Sequence, residues 1–314
     1  MSIADAAMLA VLQLGALAGV APLLNGLIRK VKARLQYRQG PPLLQNYYDL
    51  GKWWSRSEQV ATSTSFVHRC APAGVLATTL AATLFLPVFS WHTPLSSAGD
   101  LFVVVALFAL GRALLTLGGM DSGSSFGQMG SSREVAVGAL VEPILILSLV
   151  TLAIGADSTR LGEIVRVAAG QGGSAITPGW ILAAAGFAVV LVAETGRIPV
   201  DNPDTHLELT MIHEAMLIEY SGRSLGVLHF SALLKQAILV VLLANVFLPF
   251  GLTAAGTGGH AIAAALVVGK VAGVGIGLAI VESVLAKTRL FELPDLLGMA
   301  AFATLLGAAL VVLA

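Results

Sequence analysis

Eight stretches of this chain, at about residues 5–28, 72–91, 98–119, 134–155, 178–196, 225–250, 260–286 and 294–313, stay apolar over the length of a bilayer crossing. A hydrocarbon core takes about 20 mostly apolar residues per helix. Within it, every backbone N–H and C=O must find a partner in the protein, which leaves helices or a closed barrel. No ten-residue alternation of apolar and polar residues runs through the blocks, so strands are unsupported. The expected fold is an all-α polytopic membrane bundle of about eight transmembrane helices, one integral membrane domain over residues 1–314. Only 11% of residues are charged and the mean hydropathy is +0.86, against about 25% charged in a soluble domain. Membrane lipid is therefore the expected surrounding.

Several function classes fall away. The formal net charge is +0 and no basic patch interleaved with aromatics is present, so nucleic acid is not an expected partner. Cys70 is the single cysteine, and an iron–sulfur cluster takes about four ligands, so any redox centre would belong to another subunit. The first apolar stretch is too long for a cleavable signal peptide and lacks a basic n-region.

Small residues pervade the spans. Gly269, Gly273 and Gly277 recur at four-residue spacing, a pattern that lets helix backbones approach closely. On alternate turns, one side collects Arg29 to Arg69, Arg133, Arg197, Arg223, Lys287 and Arg289, whereas the other has Arg160 and Arg166. The positive-inside rule then puts both termini outside a bacterial or archaeal cytoplasmic membrane. The connections at about 29–71, 120–133, 196–224 and 287–293 become cytoplasmic, and the outer ones are short or bland.

The first cytoplasmic connection has its own pattern. After Gly40-Pro41-Pro42, residues Leu43, Leu44, Tyr47, Leu50 and Trp54 fall near one helical face, with Asp49, Lys52 and Arg56 towards others. That spacing predicts a short helix in the headgroup region or beneath the bundle, either an anchor or a docking element for a soluble partner. The connection from Gly118 to Glu134 (GGMDSGSSFGQMGSSRE) is glycine-rich but follows no strand and lacks a Lys-Ser/Thr ending. It is not a phosphate-binding loop, and backbone packing against a neighbour is expected of it.

The densest chemistry lies between Glu194 and Arg223, where six carboxylates (Glu194, Asp201, Asp204, Glu208, Glu214, Glu219) accompany His206 and His213. Pro199 and Pro203 impose an extended start, Asn202 caps a helix with Pro203 at its first position, and Gly222 ends it. On that helix Glu208 and Glu219 share a face, and both histidines occupy the other side. Desolvation and mutual repulsion raise carboxylate pKa values, which makes such groups candidates for proton handling. The alternative is ion pairing with the basic first connection. His213-Glu214 begins like a HExxH zinc motif, but Leu217 stands where the second histidine belongs, which argues against a metal site.

Charges also interrupt the spans. Glu142 (before Pro143), Lys235 and Lys270 each lie about nine or ten residues inside, near the midplane at ~1.5 Å per residue. Glu194, Glu282 and Arg112 lie nearer the cytoplasmic ends. Ionisable groups in oil are costly and mark function by default. One reading is a proton wire from the acidic segment through Glu194 and Glu142 towards Lys235 and Lys270; the other is a set of buried ion bridges that fix helix register.

These residues carry a resemblance over nearly the whole chain. RLQYRQGPPLLQNYYDLGKWW (Arg34 to Trp54), DSGSSFGQMGSSRE (Asp121 to Glu134) and GRIPVDNPDTHLELTMIHEAMLIEYSGR (Gly196 to Arg223) resemble the respiratory complex I subunit 1 family. Ile198, Val200, Asn202 and Thr205-His206 follow its hydrogenase branch, the membrane anchors of formate hydrogenlyase and other energy-converting NiFe-hydrogenases. The resemblance implies a subunit without its own redox centre, the NiFe centre and iron–sulfur clusters lying in partner subunits. Implied partners are hydrogenase large and small subunits, an iron–sulfur subunit and antiporter-like membrane subunits. The implied task is to anchor the soluble arm and couple its reaction to proton or sodium movement. Glu142, Glu194, Glu208, Glu214, Glu219, Lys235, Lys270 and Glu282 are the expected proton-pathway residues. Arg34, Arg38, Tyr47, Asp49, Arg133, Arg197, Asp201, His206, His213 and Arg223 are the expected docking residues. Alternatives are the quinone-site subunit of an NADH:quinone oxidoreductase and an autonomous ion transporter; the departures between Ile198 and His206 weigh against a quinone site.

Overall fold

A helix is the one open-ended element that satisfies its own backbone in lipid, and every regular element among the described residues is helical. The computed structural model describes residues 3–96, 99–201, 211–252, 260–289 and 292–313. Among them run α1 (Ile3–Leu35), α2 (Gln45–Trp54), α3 (Phe66–Thr83), α4 (Leu101–Asp121), α5 (Ser125–Ala156), α6 (Leu161–Gln171), α7 (Pro178–Glu194), α8 (Gly222–Val246), α9 (His260–Val284) and α10 (Leu293–Leu313). Short 3-10 turns add Gly172–Ala175 and Glu214–Leu217.

All eight apolar stretches contain a helix, but the count of eight spans is not reached. Six described helices are long and apolar enough to cross, and α6 with α7 makes a seventh only as one span bent by 119°. The stretch at about 72–91 falls short because α3 stops at Thr83 and the chain continues through turns past Pro87. Backbone released from a helix inside a bundle needs new partners. Buried Gln13 of α1 donates to the carbonyls of Thr83 and Leu86, the latter at 2.9 Å. Buried Asn245 of α8 donates to those of Pro87 and Val88 at 2.8 and 3.0 Å. Two amides thus seal the broken end of α3.

Helix starts follow capping chemistry. Ser65, Asp100, Ser124 and Thr177 accept backbone N–H groups at the starts of α3, α4, α5 and α7, the last with Pro178 in its first turn. Because α5 begins at Ser125, the stretch read as a loop over 120–133 is mostly helix, broken only at 122–124. The amphipathic helix α6, in an outer connection read as bland, is a second departure. Its Leu161, Ile164, Val165 and Ala168 are buried against the bundle.

The glycine stripe also differs from expectation. A Cβ added at Gly269, Gly273 or Gly277 would meet nothing within 4 Å, so these residues face no helix. Close approach occurs between α7 and α10, where a Cβ on Gly179 would lie 2.6 Å from the Gly307 carbonyl oxygen. The main core runs from Leu24 and Ile28 of α1 through Leu149 of α5 and Phe187 of α7 to Leu239 of α8, and a separate smaller cluster gathers Leu115, Met216, Leu217, Tyr220 and Leu228.

Candidate functional site

Arg112, deep in α4, cannot hold its charge in a packed bundle without partners. Gly138 of α5 leaves the slot for its guanidinium, since any Cβ there would collide with it. Three carboxylates surround it: Glu134 at 3.5 Å, Glu142 at 2.8 Å, and Glu194 of α7 in direct contact. Lys235 of α8 closes the group, its ammonium 2.5 Å from the other oxygen of Glu194 and 5.9 Å from the centre of the Phe108 ring. Two cations thus face three carboxylates, with the Glu194 side chain only 2% exposed. When all are ionised the group carries one net negative charge, and it can take up one proton without becoming positive.

A second group forms where α1, α9 and the 196–201 segment meet. Glu282 accepts from Arg197 and sits 3.3 Å from Lys32, while Arg197 also donates to Asn25 at 2.6 Å. Lys287 lies 3.0 Å from Asp201, whose other oxygen accepts the Ile212 N–H at 3.2 Å. The Ile198–Pro199 peptide is cis.

Both groups, apart from Glu142 and Lys287, line one cavity of about 750 Å³. Its wall carries six carboxylates, six Lys or Arg side chains and two histidines, among them Asp49, Glu134, Glu194, His213, Glu214 and His229. Gln236, buried with its Nε2 unpartnered among the described residues, lines it too, a position suited to an ordered water. Between these charges the wall is apolar, with Leu50, Val75, Leu107, Phe108 and Leu228 among its residues, so ions and water have partners only along its charged stretches. Helix α2 forms where its spacing predicted and covers one side, but on a different face: Asn46 and Leu50 are buried while Leu43, Leu44 and Trp54 stay exposed, and Asn46 donates to the Pro22 carbonyl at 2.8 Å. Trp53 stacks on His229 with ring centres 4.3 Å apart.

The acidic segment itself differs from its sequence reading. Residues 202–210, with Glu208, His206, Asp204 and the proposed Asn202 cap, lie outside the described residues. Beyond them the chain does not continue as an α-helix to Gly222; it makes the Glu214–Leu217 turn, and Gly222 starts α8 with φ +50° instead of ending a helix. A Cβ there would also press on the Ser57 carbonyl, 2.6 Å away. The turn packs into the glycine-rich start of α5, where a Cβ on Gly130 would meet Ala215 at 2.8 Å. Tyr220 stacks on His68, 4.0 Å between centres, and donates to its carbonyl at 3.3 Å; burial holds its phenol well above the usual tyrosine pKa, so it remains a donor.

The expected pathway residues therefore divide. Glu142, Glu194 and Lys235 meet through Arg112, and Glu194, Lys235, Glu214 and Glu282 line the cavity. Glu219 is not in its wall, because the 3-10 turn takes the chain off the helical face assumed for it. Lys270 stands apart and donates to the Leu248 carbonyl at 2.9 Å, so the wire drawn to it is not seen. The expected docking residues divide as well. Arg34, Arg38 and Arg223 are exposed. Arg197 and Asp201 are buried cavity walls, Arg133 donates to the Met211 carbonyl at 3.0 Å, and Tyr47 donates to the Gly19 carbonyl. Asp49 accepts from Gln45 at 2.9 Å and His213 lines the cavity. Arg112, Glu134 and Lys32 had no assigned role; the signal was available for Arg112 alone, a charge inside an apolar span. Among the described residues no three His, Cys, Asp or Glu side chains converge to hold a metal.

Residues 7–314 match the NADH dehydrogenase family. Hydrogenase-4 component C of Escherichia coli K12 is 38% identical over 73% of this chain and 71% of its own. Formate hydrogenlyase subunit 4 of the same organism is 35% identical over 86% of this chain and 87% of its own. A chain of the membrane-bound sulfane sulfur reductase, an archaeal respiratory membrane complex, superposes with TM-score 0.86 over 98% of this chain and 99% of that one; at 20% identity it shows the fold alone.

Proposed function

Because the chain belongs to the NADH dehydrogenase family of complex I subunit 1 proteins, we propose that it is the membrane-anchor and proton-coupling subunit of an energy-converting NiFe-hydrogenase complex of the formate hydrogenlyase type. The observation that carries this reading is the cavity whose wall holds Arg112, Glu134, Glu194 and Lys235, with Glu142 paired to Arg112 behind it. Protons enter from the end formed by α2 and the 211–221 turn, pass Glu214 and His213, and load Glu194 or Glu142 beside Arg112. Glu282 and Arg197 hold the opposite wall. Redox events in the soluble arm shift the charge balance of these groups by pressing on residues 196–201 and the 211–221 turn.

The same end carries exposed Arg34, Arg38 and Arg223, which supports docking of hydrogenase large and small subunits and an iron–sulfur subunit there. The NiFe centre and clusters reside in those partners, and antiporter-like subunits lie alongside in the membrane. Its excess of Lys and Arg supports a cytoplasmic orientation, with both termini across the bacterial or archaeal inner membrane.

Affinity purification from the native membrane tests this reading. Co-purification of a nickel-containing large subunit supports it, whereas a flavin-bearing NADH module would favour a quinone-reducing complex. Proton flux through the purified chain alone in liposomes would instead mark an autonomous transporter.

A further inference from the structure

Away from its charged stretches the cavity wall is apolar, with Leu217, Leu228 and Leu233 among its residues. A proton crosses such a wall only between groups that can hold it, each within about 3 Å or one water of the next. From Ser224 to Leu234, the approach to Lys235 along α8, one side chain can take up a proton near neutral pH: His229, which lines the cavity. It precedes Lys235 by six residues, a rise of about 9 Å that takes ordered water to span. Gln236 lies seven residues beyond His229, close to the same face of the helix, with its unpartnered Nε2 suited to one such water.

Helix α2 fixes this imidazole. Gly226, one turn earlier on α8, leaves the notch for it: a Cβ there would lie 2.8 Å from the Trp54 ring and 3.2 Å from Trp53 Cβ. Trp53 then lies flat on His229, the planes 10° apart, while Trp54 meets Phe230 edge-on at 6.2 Å. The stack covers one face of the imidazole and leaves both nitrogens at its edge, where the described residues make no hydrogen bond to them. An indole face also attracts a cation held against it. Burial works against the imidazolium, Glu214 of the 211–221 turn and Asp49 of α2 favour it, and a charged His213 would oppose it. From α3 the cavity receives the uncharged Val75, Thr78 and Thr79; α1 contributes Arg29, Arg38 and Lys32, the last engaged by Glu282. With Asp49 and Glu214 ionised, one proton on His229 leaves the entrance group net negative.

We infer that His229 carries the proton between the entrance and the Arg112 group, with Trp53 as its positioning residue. The inference rests on the proton-coupling reading above. His229 receives a proton from Glu214 or His213 and releases it, through water beside Gln236, towards the Glu194–Lys235 pair. Helix α2 thereby serves the route itself as well as covering it.

The test uses the whole complex in inverted membrane vesicles, with acidification measured per unit of dye-linked hydrogenase activity in the same vesicles. His229→Phe keeps a ring for Trp53 to stack on but holds no proton, and should cut acidification about tenfold. His229→Gln serves if the phenyl ring hinders assembly. Trp53→Leu, which leaves the imidazole unheld, should cut it about threefold. A second readout needs no turnover: an imidazolium quenches an indole stacked on it, so tryptophan emission of the purified complex should fall as pH drops from about 8 to 5, and His229→Phe should lack that component. Acidification at the wild-type level in both His229 variants overturns the assignment of His229, as does an emission titration that His229→Phe leaves unchanged. Wild-type acidification in Trp53→Leu overturns the positioning role. A wild type that forms no pH gradient overturns the proton-coupling reading and this inference with it.

Discussion

Lys235 and Lys270 sit at similar depths in their apolar stretches, yet the bundle treats them differently. Lys235 meets Glu194 at 2.5 Å and joins a group bridging α4, α5, α7 and α8. Lys270 donates to one backbone carbonyl, that of Leu248, just beyond the end of α8. A buried ammonium gains most when a carboxylate and its further partners are fixed around it, whereas a lysine near a free helix end can settle on an orphan carbonyl. Depth in the membrane alone therefore does not tell the two lysines apart; membership of a connected charge group beside a cavity does.

The sharpest way to break this contrast is Glu194→Gln, which leaves Arg112 and Lys235 short of their shared counter-charge. A loss of about 3–5 kcal/mol is expected, read as a large fall in the thermal midpoint or in the yield of assembled complex. Next comes Gly138→Ala, whose added methyl group would displace the Arg112 guanidinium without removing any charge. About 1–3 kcal/mol is expected, and Gly155→Ala, which meets only Val311 at 3.8 Å, is the near-neutral control on the same helix. Asn245→Leu should cost a similar amount, about 1–3 kcal/mol, by stranding the carbonyls of Pro87 and Val88; hydrogen exchange should rise at the end of α3 and stay unchanged near Arg112. Lys270→Met should be the mildest, below about 1 kcal/mol by thermal denaturation. A larger cost there would mean that Lys270 has an electrostatic role the contrast denies it.

Sequence made the bundle legible because hydropathy reports the solvent directly, and all eight stretches do contain helix. It could not show that α3 ends inside the second stretch, because Leu84 to Val88 is nearly as apolar as a helix; the partners that hold the broken end are distant amides, Gln13 and Asn245. Helix α6 escaped notice because its four buried apolar positions make a narrow stripe beside Arg160 and Arg166. The Gly269–Gly273–Gly277 stripe shows the converse: spacing reveals that a close approach is allowed, not that a partner is there. At the site, Glu142, Glu194, Lys235 and Glu282 stand out as charges in oil. Their hub, Arg112, was visible as a charge but not as a centre, because pairing across four helices is a tertiary property. The assumed helix over Glu208 to Glu219 failed in its described part because Gly130 and its neighbours admit a 3-10 turn tight against α5, and tertiary packing outweighs local propensity.

The most direct measurement is acidification of inverted membrane vesicles during hydrogenase turnover, compared for Lys235→Met and Lys270→Met in complexes of equal assembly. The expected result is that Lys235→Met retains dye-linked hydrogenase activity but loses the pH gradient, while Lys270→Met keeps both. A Lys235→Met complex that acidifies vesicles like the wild type would reduce the Arg112 group to a set of structural ion bridges and contradict its role in coupling.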